Sequence, residues 1–435
     1  MRQATRPAAL LLIICIFFSL SGCYAGNIDQ YFSLPRASEE YLQLQGLIDQ
    51  EISSGSEYAA PTRGSYRQSV QLYDLTGDGV SEALAFFRDS DKNLKVCIYV
   101  FSDGEYKKVL TLSGEGRSVG SVSFSDIDGD GNTDLLLTWQ IASEMSLLSV
   151  YSLAYWSGDL LLSTACSEYI TGDYNSDGRD ELMILRSVNS GAYLADLYSF
   201  NREQEPQATS APLSAGIYEL RRIKTVCLDG NAPALLVESI LENGDLVSDL
   251  LVCREGSLTN LTLNRTTGVS ETRRTYSLIY AQDIDGDGVT EIPHPQRLYS
   301  GGAEVFWSIA WYRYDAAGRA NLVMTTYHNV MDNWYLELPG RWVAGLTARR
   351  EDTAAGERAV ILSQLGTDGN ANDLLAIYTI TGENRLDWAT QGDRFILLEE
   401  TGIVYAAEIL GGDVDRNTIQ NCFHRIYSEW SSGSV

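Results

Sequence analysis

One nine-residue pattern constrains this chain more than its length does. Asp126-Ile-Asp128-Gly-Asp130-Gly131-Asn132-Thr-Asp134 places oxygen-bearing side chains at positions 1, 3, 5 and 9, with glycine at position 6. A hard cation such as Ca²⁺ takes roughly six to eight oxygens at about 2.3–2.6 Å, so a short loop must turn its carboxylates inward around one point. Gly131 permits the sharp turn, and Asn132 at position 7 can offer its backbone carbonyl. The run that follows, Leu135-Leu136-Leu137-Thr138-Trp139, is apolar and strand-like. Position 12 is Leu137, where an EF-hand needs a bidentate glutamate and then a helix. This loop joins strands.

The pattern recurs. Asp74, Thr76, Asp78, Val80 and Glu82 stand at positions 1, 3, 5, 7 and 9 of a second copy. Asp173, Asn175, Asp177, Arg179 and Glu181 form a third, and Asp283, Asp285, Asp287, Val289 and Glu291 a fourth. Position 12 is Ala85, Ile184 and His294 in these, again without a carboxylate. Eroded relatives stand at Leu228-Asp229-Gly230-Asn231 and from Gly366 to Asp373. The starts repeat about every 50 residues, as they do in propellers and other repeat arrays. Asp-Gly is also a preferred hairpin dipeptide. A turn, however, needs no acid at positions 1 and 9.

These loops resemble the FG-GAP/VCBS-type calcium repeats found in β-propellers such as the integrin α-subunit head and many bacterial surface proteins. The resemblance spans roughly residues 66 to 380, reckoning about 50 residues per blade. It implies a calcium-stabilised propeller of the adhesion or scaffold class. Neither the Phe-Gly before the loop nor the Gly-Ala-Pro of that pattern is present; Val119-Gly-Ser-Val-Ser-Phe124 precedes the Asp126 loop. An integrin-like ligand site therefore does not follow, whereas the cation ligands do.

The formal net charge is −26. Removing residues 1–22, which carry Arg2 and Arg6 and no acid, makes it −28. Like charge repels phosphate, which excludes nucleic acid as a natural partner. The four loops hold fourteen carboxylates at ligand positions (3 + 4 + 3 + 4), so the acidity is tied to cation binding. Arg2 and Arg6 precede an apolar run from Ala8 to Leu20 that is short for a membrane span. Leu20-Ser21-Gly22-Cys23 resembles a bacterial lipobox, which implies cleavage before Cys23 and lipidation of its thiol. Two acyl chains anchor stably where one does not. The mature chain is then extracytoplasmic and membrane-anchored, where weak calcium sites of about 10⁻⁴–10⁻³ M fill.

The chain divides into a signal peptide at 1–22, a lipidated tether and short helix at 23–65, a propeller at 66–410 and a C-terminal helix at 411–435. Ser38 N-caps a helix whose apolar stripe is Leu44 and Ile48 with Tyr41 or Leu47. Residues 53–65 read as a linker. Val96–Phe101, Leu147–Tyr155 and Ala192–Tyr198 lie about 20 residues beyond their loops and fit the third strand of a four-stranded blade. Glu203–Pro212 reads as a polar inter-blade loop. The interval from 283 to 366 exceeds one period, through a blade that has lost its loop near Trp334–Arg349 or through an insertion. The fold class is all-β, a propeller of six or seven four-stranded blades with short terminal helices; we favour seven. Ile419, Cys422, Phe423 and Ile426 have helical spacing.

Chemistry-bearing motifs are sparse. After Cys15 and Cys23 five cysteines remain, none in Cys-x-x-Cys spacing, and most lie in apolar strand patterns. Cys227 and Cys253 could bridge neighbouring strands. Of three histidines, only His328, beside Asn329 and Asp332, has catalytic company. No Gly-x-Ser-x-Gly, His-Glu-x-x-His or phosphate-cradling loop occurs. Aromatic residues concentrate at Trp307, Trp311, Trp334 and their neighbours. Exposed rings there would suit a sugar or protein ligand, and buried ones would pack blades. The reading is a binding or scaffold lipoprotein for a protein or glycan. Its alternative is a polysaccharide hydrolase or lyase with carboxylates in the propeller cleft.

Overall fold

The second and third strands of successive sheets set the architecture, because their apolar runs are buried on both faces. A computed structural model describes residues 39–426 apart from 143–144, 190, 202–203, 300–303, 355 and 368. The expected signal peptide, the expected lipidation site at Cys23 and the expected tether as far as Ser38 lie outside the described residues. The chain divides into two compact units, residues 1–59 with 69–113 and residues 60–68 with 114–435.

In the smaller unit, helix α1 (Glu39–Ser53) packs on a sheet of β1 (Glu57–Tyr58), β2 (Val70–Tyr73), β3 (Glu82–Arg88), β4 (Leu94–Ser102) and β5 (Glu105–Gly114). Leu44 and Ile48 meet Ala83, Ala85, Phe87, Cys97 and Tyr99, with Leu47 alongside, while Tyr41 stays exposed. Glu51 fastens the helix by ion pairs to Lys95, at 2.6 Å, and Lys108.

The larger unit is a series of antiparallel meanders. The second sheet holds β6 (Ser118–Ser125), β7 (Asp134–Ala142), β8 (Met145–Ser152) and β9 (Asp159–Cys166). A third holds β10 (Glu168–Gly172), β11 (Glu181–Asn189), β12 (Ala192–Asn201) and β13 (Gln204–Pro212). Next come β14 (Ile217–Leu228), β15 (Ala232–Leu241), β16 (Leu246–Arg254) and β17 (Ser257–Asn260), then a small hairpin of β18 (Leu263–Asn264) and β19 (Val269–Ser270). The fifth sheet starts with β20 (Glu291–Arg297), β21 (Trp307–Tyr314), β22 (Ala320–Asn329) and β23 (Trp334–Glu337). The sixth runs β24 (Leu346–Ala354), β25 (Glu357–Leu365), β26 (Ala371–Thr381), β28 (Ile403–Ile409), with β27 (Phe395–Glu400) at its edge.

Each sheet of this unit packs a face on the next. Leu136 and Val150 meet Leu182 and Ile184; Met183 and Leu197 meet Leu235 and Val237. Leu236 and Leu250 meet Ile292 and Tyr314, and Trp334 and Leu336 meet Val360 and Leu375. Burying one such side chain stabilises the fold by about 1.5–3 kcal/mol, so the inter-sheet layers dominate cohesion. Serial four-stranded meanders stacked this way make the fold all-β and β-propeller-like. The first strands of sheets two and three meet where Ser123 Oγ and Tyr169 Oη are 2.8 Å apart, and the loop after β10 meets β14 where Tyr174 Oη and Thr225 Oγ1 are 2.9 Å apart.

Several expectations change here. Residues 204–212 are β13, since an outer strand with one wet face tolerates a polar sequence. Trp334–Arg349 is no separate blade but β23, a one-turn helix (Gly340–Val343) and the start of β24. Among the described residues there are six sheets of four or five strands. The turn at 366–370 joins β25 to β26, the second and third strands of its sheet, so it is out of phase with the four acidic loops. The C-terminal helix spans only Arg416–Cys422; Phe423–Arg425 continues as β29 and pairs with β23. Phe423 there packs between Trp334 and Tyr405, which extended backbone permits and another helical turn would not. Cys227 and Cys253 are free thiols on β14 and β16, with β15 between them, so they are not across neighbouring strands.

Candidate functional site

The four acidic loops share one design. Position 1 gathers backbone N–H groups: Asp74 accepts from Gly77, Asp78 and Gly79 at 2.7–3.1 Å, and Asp283 from Gly286, Asp287 and Gly288 at 2.7–3.1 Å. Asp126 accepts from Asp130 and Gly131, and Asp173 from Asp177 and Gly178. The position-5 carboxylates of Asp78, Asp130, Asp177 and Asp287 each accept the N–H of position 7, which is Val80, Asn132, Arg179 and Val289. Gly79, Gly131, Gly178 and Gly288 have φ of 83–87°, the left-handed turn that position 6 requires. This wrapping explains why side chains as different as valine and arginine serve at position 7: only their backbone is used.

Position 9 is the first residue of the next strand and is buried in every copy. Glu82, Asp134, Glu181 and Glu291 are 0–3 % exposed. One oxygen of each accepts the N–H of position 2, from Leu75, Ile127, Tyr174 and Ile284. Burial pushes all four carboxyls up, Asp134 and Glu291 to about 7. In the third loop Asn175 donates its amide to the second oxygen of Glu181. In the second and fourth loops that second oxygen, Asp134 Oδ1 and Glu291 Oε1, is buried without a hydrogen bond. An unsatisfied buried carboxylate oxygen costs about 1–3 kcal/mol or more. Oxygens of Asp126, Asp128 and Asp134 lie within 4.8 Å of one another, as do those of Asp283, Asp285 and Glu291. An all-oxygen donor set with an orphaned buried anion fits a hard cation such as Ca²⁺.

The loops are not equivalent in their surroundings. Arg313 on β21 reaches the fourth, 3.0 Å from Asp285, 2.8 Å from Asp287 and 3.5 Å from Glu291. The N–H of Val289, followed by Arg313, holds Asp287 below the usual carboxylate range. Arg313 belongs to no motif; only the strand register, which sets it opposite Glu291, reveals it.

A second feature lies at the first strands of sheets two and three. A cavity of about 680 Å³ is lined by residues 63–67, 121–123 and 168–171. The backbone of Thr62 and Arg63 donates to Val119 and Gly120 of β6, so this stretch is a docked segment and not a free linker. Arg63 pairs with Glu168 at 3.0 Å, and Arg67 donates to the Thr62 carbonyl at 2.7 Å. Tyr66 sets its ring edge-on to Phe124 at 5.2 Å. Burial pushes the Glu168 carboxyl up, against the pull of Arg63.

The aromatic cluster is core. Trp311 and Trp334 are 0 % exposed, which removes them as ligand platforms; their rings fill inter-strand layers. Trp307 is half-buried and stacks on Tyr276 at 5.2 Å. His328 is sandwiched between Trp311 and Tyr335, and burial drives its imidazole down to about 3, so it stays neutral and structural.

No family model matches this chain, and no curated protein does. Among solved structures it is similar to the Bacillus licheniformis rhamnogalacturonan lyase PL11, at 13% identity and TM-score 0.31, over 61% of this chain and 68% of that one. A protein from Lactobacillus plantarum is similar at 9% identity and TM-score 0.26, over 72% and 85% of the two chains. Likenesses this slight carry no argument about activity.

Proposed function

We propose that this chain is a cell-surface, calcium-stabilised binding or scaffold lipoprotein that recognises a protein or glycan. The observation that carries the calcium assignment is Asp134: its Oδ1 is buried, without a hydrogen bond, beside Asp126 and Asp128. A divalent cation there would neutralise the buried charge and tie the loop to the start of β7. Lipid attachment at Cys23 would hold the chain at the outer face of the cell membrane, where calcium is abundant.

The recognition surface is the cleft between the first strands of sheets two and three. Its hydroxyls on Ser121, Ser123 and Tyr169, its arginines and the Tyr66 ring offer the donors, acceptors and apolar face that a sugar or a polar peptide takes. Glu168 is the sole carboxylate in the lining, and it is engaged by Arg63. Glycoside hydrolysis takes two carboxylates about 5–9.5 Å apart, so binding without turnover is favoured over the polysaccharide hydrolase alternative, and assay for released product tests the lyase one. The test is a glycan array with the chain from Tyr24 onward, followed by assay of any hit for released product. Binding lost in Arg63→Ala and Tyr66→Ala, with no product, supports the reading. Product release that survives Glu168→Gln removes the cleft as the working site, and product release abolished by Glu168→Gln establishes the enzymatic alternative.

A further inference from the structure

Two cavities of similar size differ in chemistry. The cleft of about 680 Å³ between the first strands of sheets two and three carries hydroxyls, arginines and a carboxylate. A second cavity, of about 690 Å³, opens where sheets three and four meet the β18–β19 hairpin, and its lining is mostly apolar. Ala211, Leu213 and Leu258 form a buried floor, and Tyr193, Leu194 and Leu263 are half-buried around it. Small-molecule sites span roughly 300–1,000 Å³ and combine such apolar walls with a few polar groups.

Two polar side chains of the lining are committed elsewhere. Ser210 Oγ donates to Asp196, and the Asn260 amide donates to Asp249 at 2.8 Å and to the Pro212 carbonyl at 3.1 Å. Among the described residues Arg265 is the sole charged side chain of the lining; it is exposed and has neither an ion pair nor a hydrogen bond there. Its backbone is fixed. Asn264 Oδ1 accepts the N–H groups of Thr266 and Thr267 at 2.9 and 3.1 Å, and the Gly268 N–H returns to the Asn264 carbonyl at 2.8 Å. The Gly268 carbonyl in turn accepts from the Ala215 N–H at 2.8 Å. At the hairpin's base, Ser270 donates its N–H to Ser214 Oγ at 2.9 Å and its hydroxyl to the buried Asp249. The hairpin is therefore pinned at tip and base by its own bonds, and a ligand entering beside it has little to reorganise.

We propose that this pocket binds a small amphiphile, an apolar chain ending in a carboxylate, with the chain against the floor and the carboxylate on Arg265. An apolar space gives water few partners, so an apolar body displaces it favourably. An arginine at an apolar rim lays its aliphatic stem along that surface and keeps its planar fork in water, where it takes a carboxylate through two parallel N–H bonds. Charge selects the same kind of ligand. The chain is −26 overall, so an exposed arginine with no acid paired to it is a local reversal of sign. A single carboxylate in contact with Arg265 feels that reversal, whereas a long polyanion extends beyond the screening length of about 8 Å and meets the acidic remainder. This site is separate from the cleft between sheets two and three, and neither assignment depends on the other.

Binding is measured by isothermal titration calorimetry on the full chain, with octanoate, decanoate and dodecanoate as probes and decan-1-ol as the uncharged control. One decanoate per chain is expected, with affinity across the series rising about two- to fourfold for each added methylene. Arg265→Gln should weaken decanoate about two- to fivefold and leave decan-1-ol unchanged. Ala192→Trp, which fills the pocket from β12, should abolish the binding of both. Ala215→Trp fills it from outside the strands and takes that role if the first variant does not fold. A wild type that binds no decanoate overturns the proposal, and that arm needs no variant. Decanoate binding that persists in a folded filling variant, or that Arg265→Gln leaves unchanged, overturns it as well.

Discussion

At the scale of single residues, the acid at position 9 decides how the loops behave. Asp134 is enclosed by the strands it joins, and only one of its oxygens is satisfied. In Asp134→Asn the retained carbonyl oxygen can still accept from Ile127, and the amide can donate to Asp126 or Asp128. In chelator at neutral pH this variant should be more stable than the wild type by about 1–3 kcal/mol, and it should lose the part of the calcium response that loop two supplies. Thermal melts with and without calcium check this. The pH dependence follows from the same groups. Asp134 and Glu291 have folded values near 7, above their unfolded values, so the folded state holds their protons more tightly. Their favourable contribution is complete below about pH 4 and is lost as pH rises through about 7. In chelator, melting temperature should fall across that window. Saturating calcium, which binds the ionised form, should flatten the fall; a chelated protein that gains stability from pH 5 to 7 would contradict the assignment.

At the scale of elements, two arrangements hold sheets in place that no local motif announces. Glu238 on β15 is fully buried between Arg222, at 3.1 Å, and Arg274, at 2.8 Å, with Ser248 and the Ala281 N–H also donating to it. It ties the fourth sheet to the segment 272–281 that leads toward the acidic loop at 283. Glu238→Gln leaves two buried guanidinium groups facing a neutral amide and should cost roughly 3–5 kcal/mol by denaturant unfolding. The second arrangement is β29. Phe423 returns from the chain's end to lie on Trp334 and Tyr405, so the fifth sheet is completed by residues nearly a hundred positions downstream. Phe423→Ala should cost about 3 kcal/mol or more, through the cavity it opens. Proteolysis should then first release the C-terminal segment, because the strand it pins is only three residues long. A variant cleaved elsewhere first would show that β29 is not held by this ring.

Considered as a whole molecule, the chain spreads negative charge along acidic loops that each lead into a strand of a different sheet and is strongly acidic overall, at −26. On the proposed reading, calcium at about 1–2 mM, acting on sites of about 10⁻⁴–10⁻³ M, would contribute roughly 1 kcal/mol per filled loop. Removing calcium should therefore lower the melting temperature by a few degrees, in steps abolished one by one in loop variants. Asp126→Ala and Asp283→Ala should each shrink the difference. A melting curve indifferent to calcium in the wild type would make the loops simple hairpin turns.

The repeat of the acidic loops, their join to apolar strands, the third-strand positions and the all-β class were all legible in the sequence, because they depend on residue type at fixed local spacing. Position 9 was singled out from that spacing alone. Its burial, and the orphaned oxygen that burial creates, depend on the sheets that close over it. Arg313 lies twenty-two residues beyond Glu291 and meets it only through hairpin register; Arg63 meets Glu168 only because residues 60–68 dock along β6. The tryptophans read as packing before platform, and the sheets placed Trp311 and Trp334 at 0 % exposure. Helical spacing at the C-terminus was likewise overridden after Cys422, where pairing with β23 satisfies the backbone better than another turn could. Local chemistry wrote the loops, and long-range packing decided which of their charges are left without a partner.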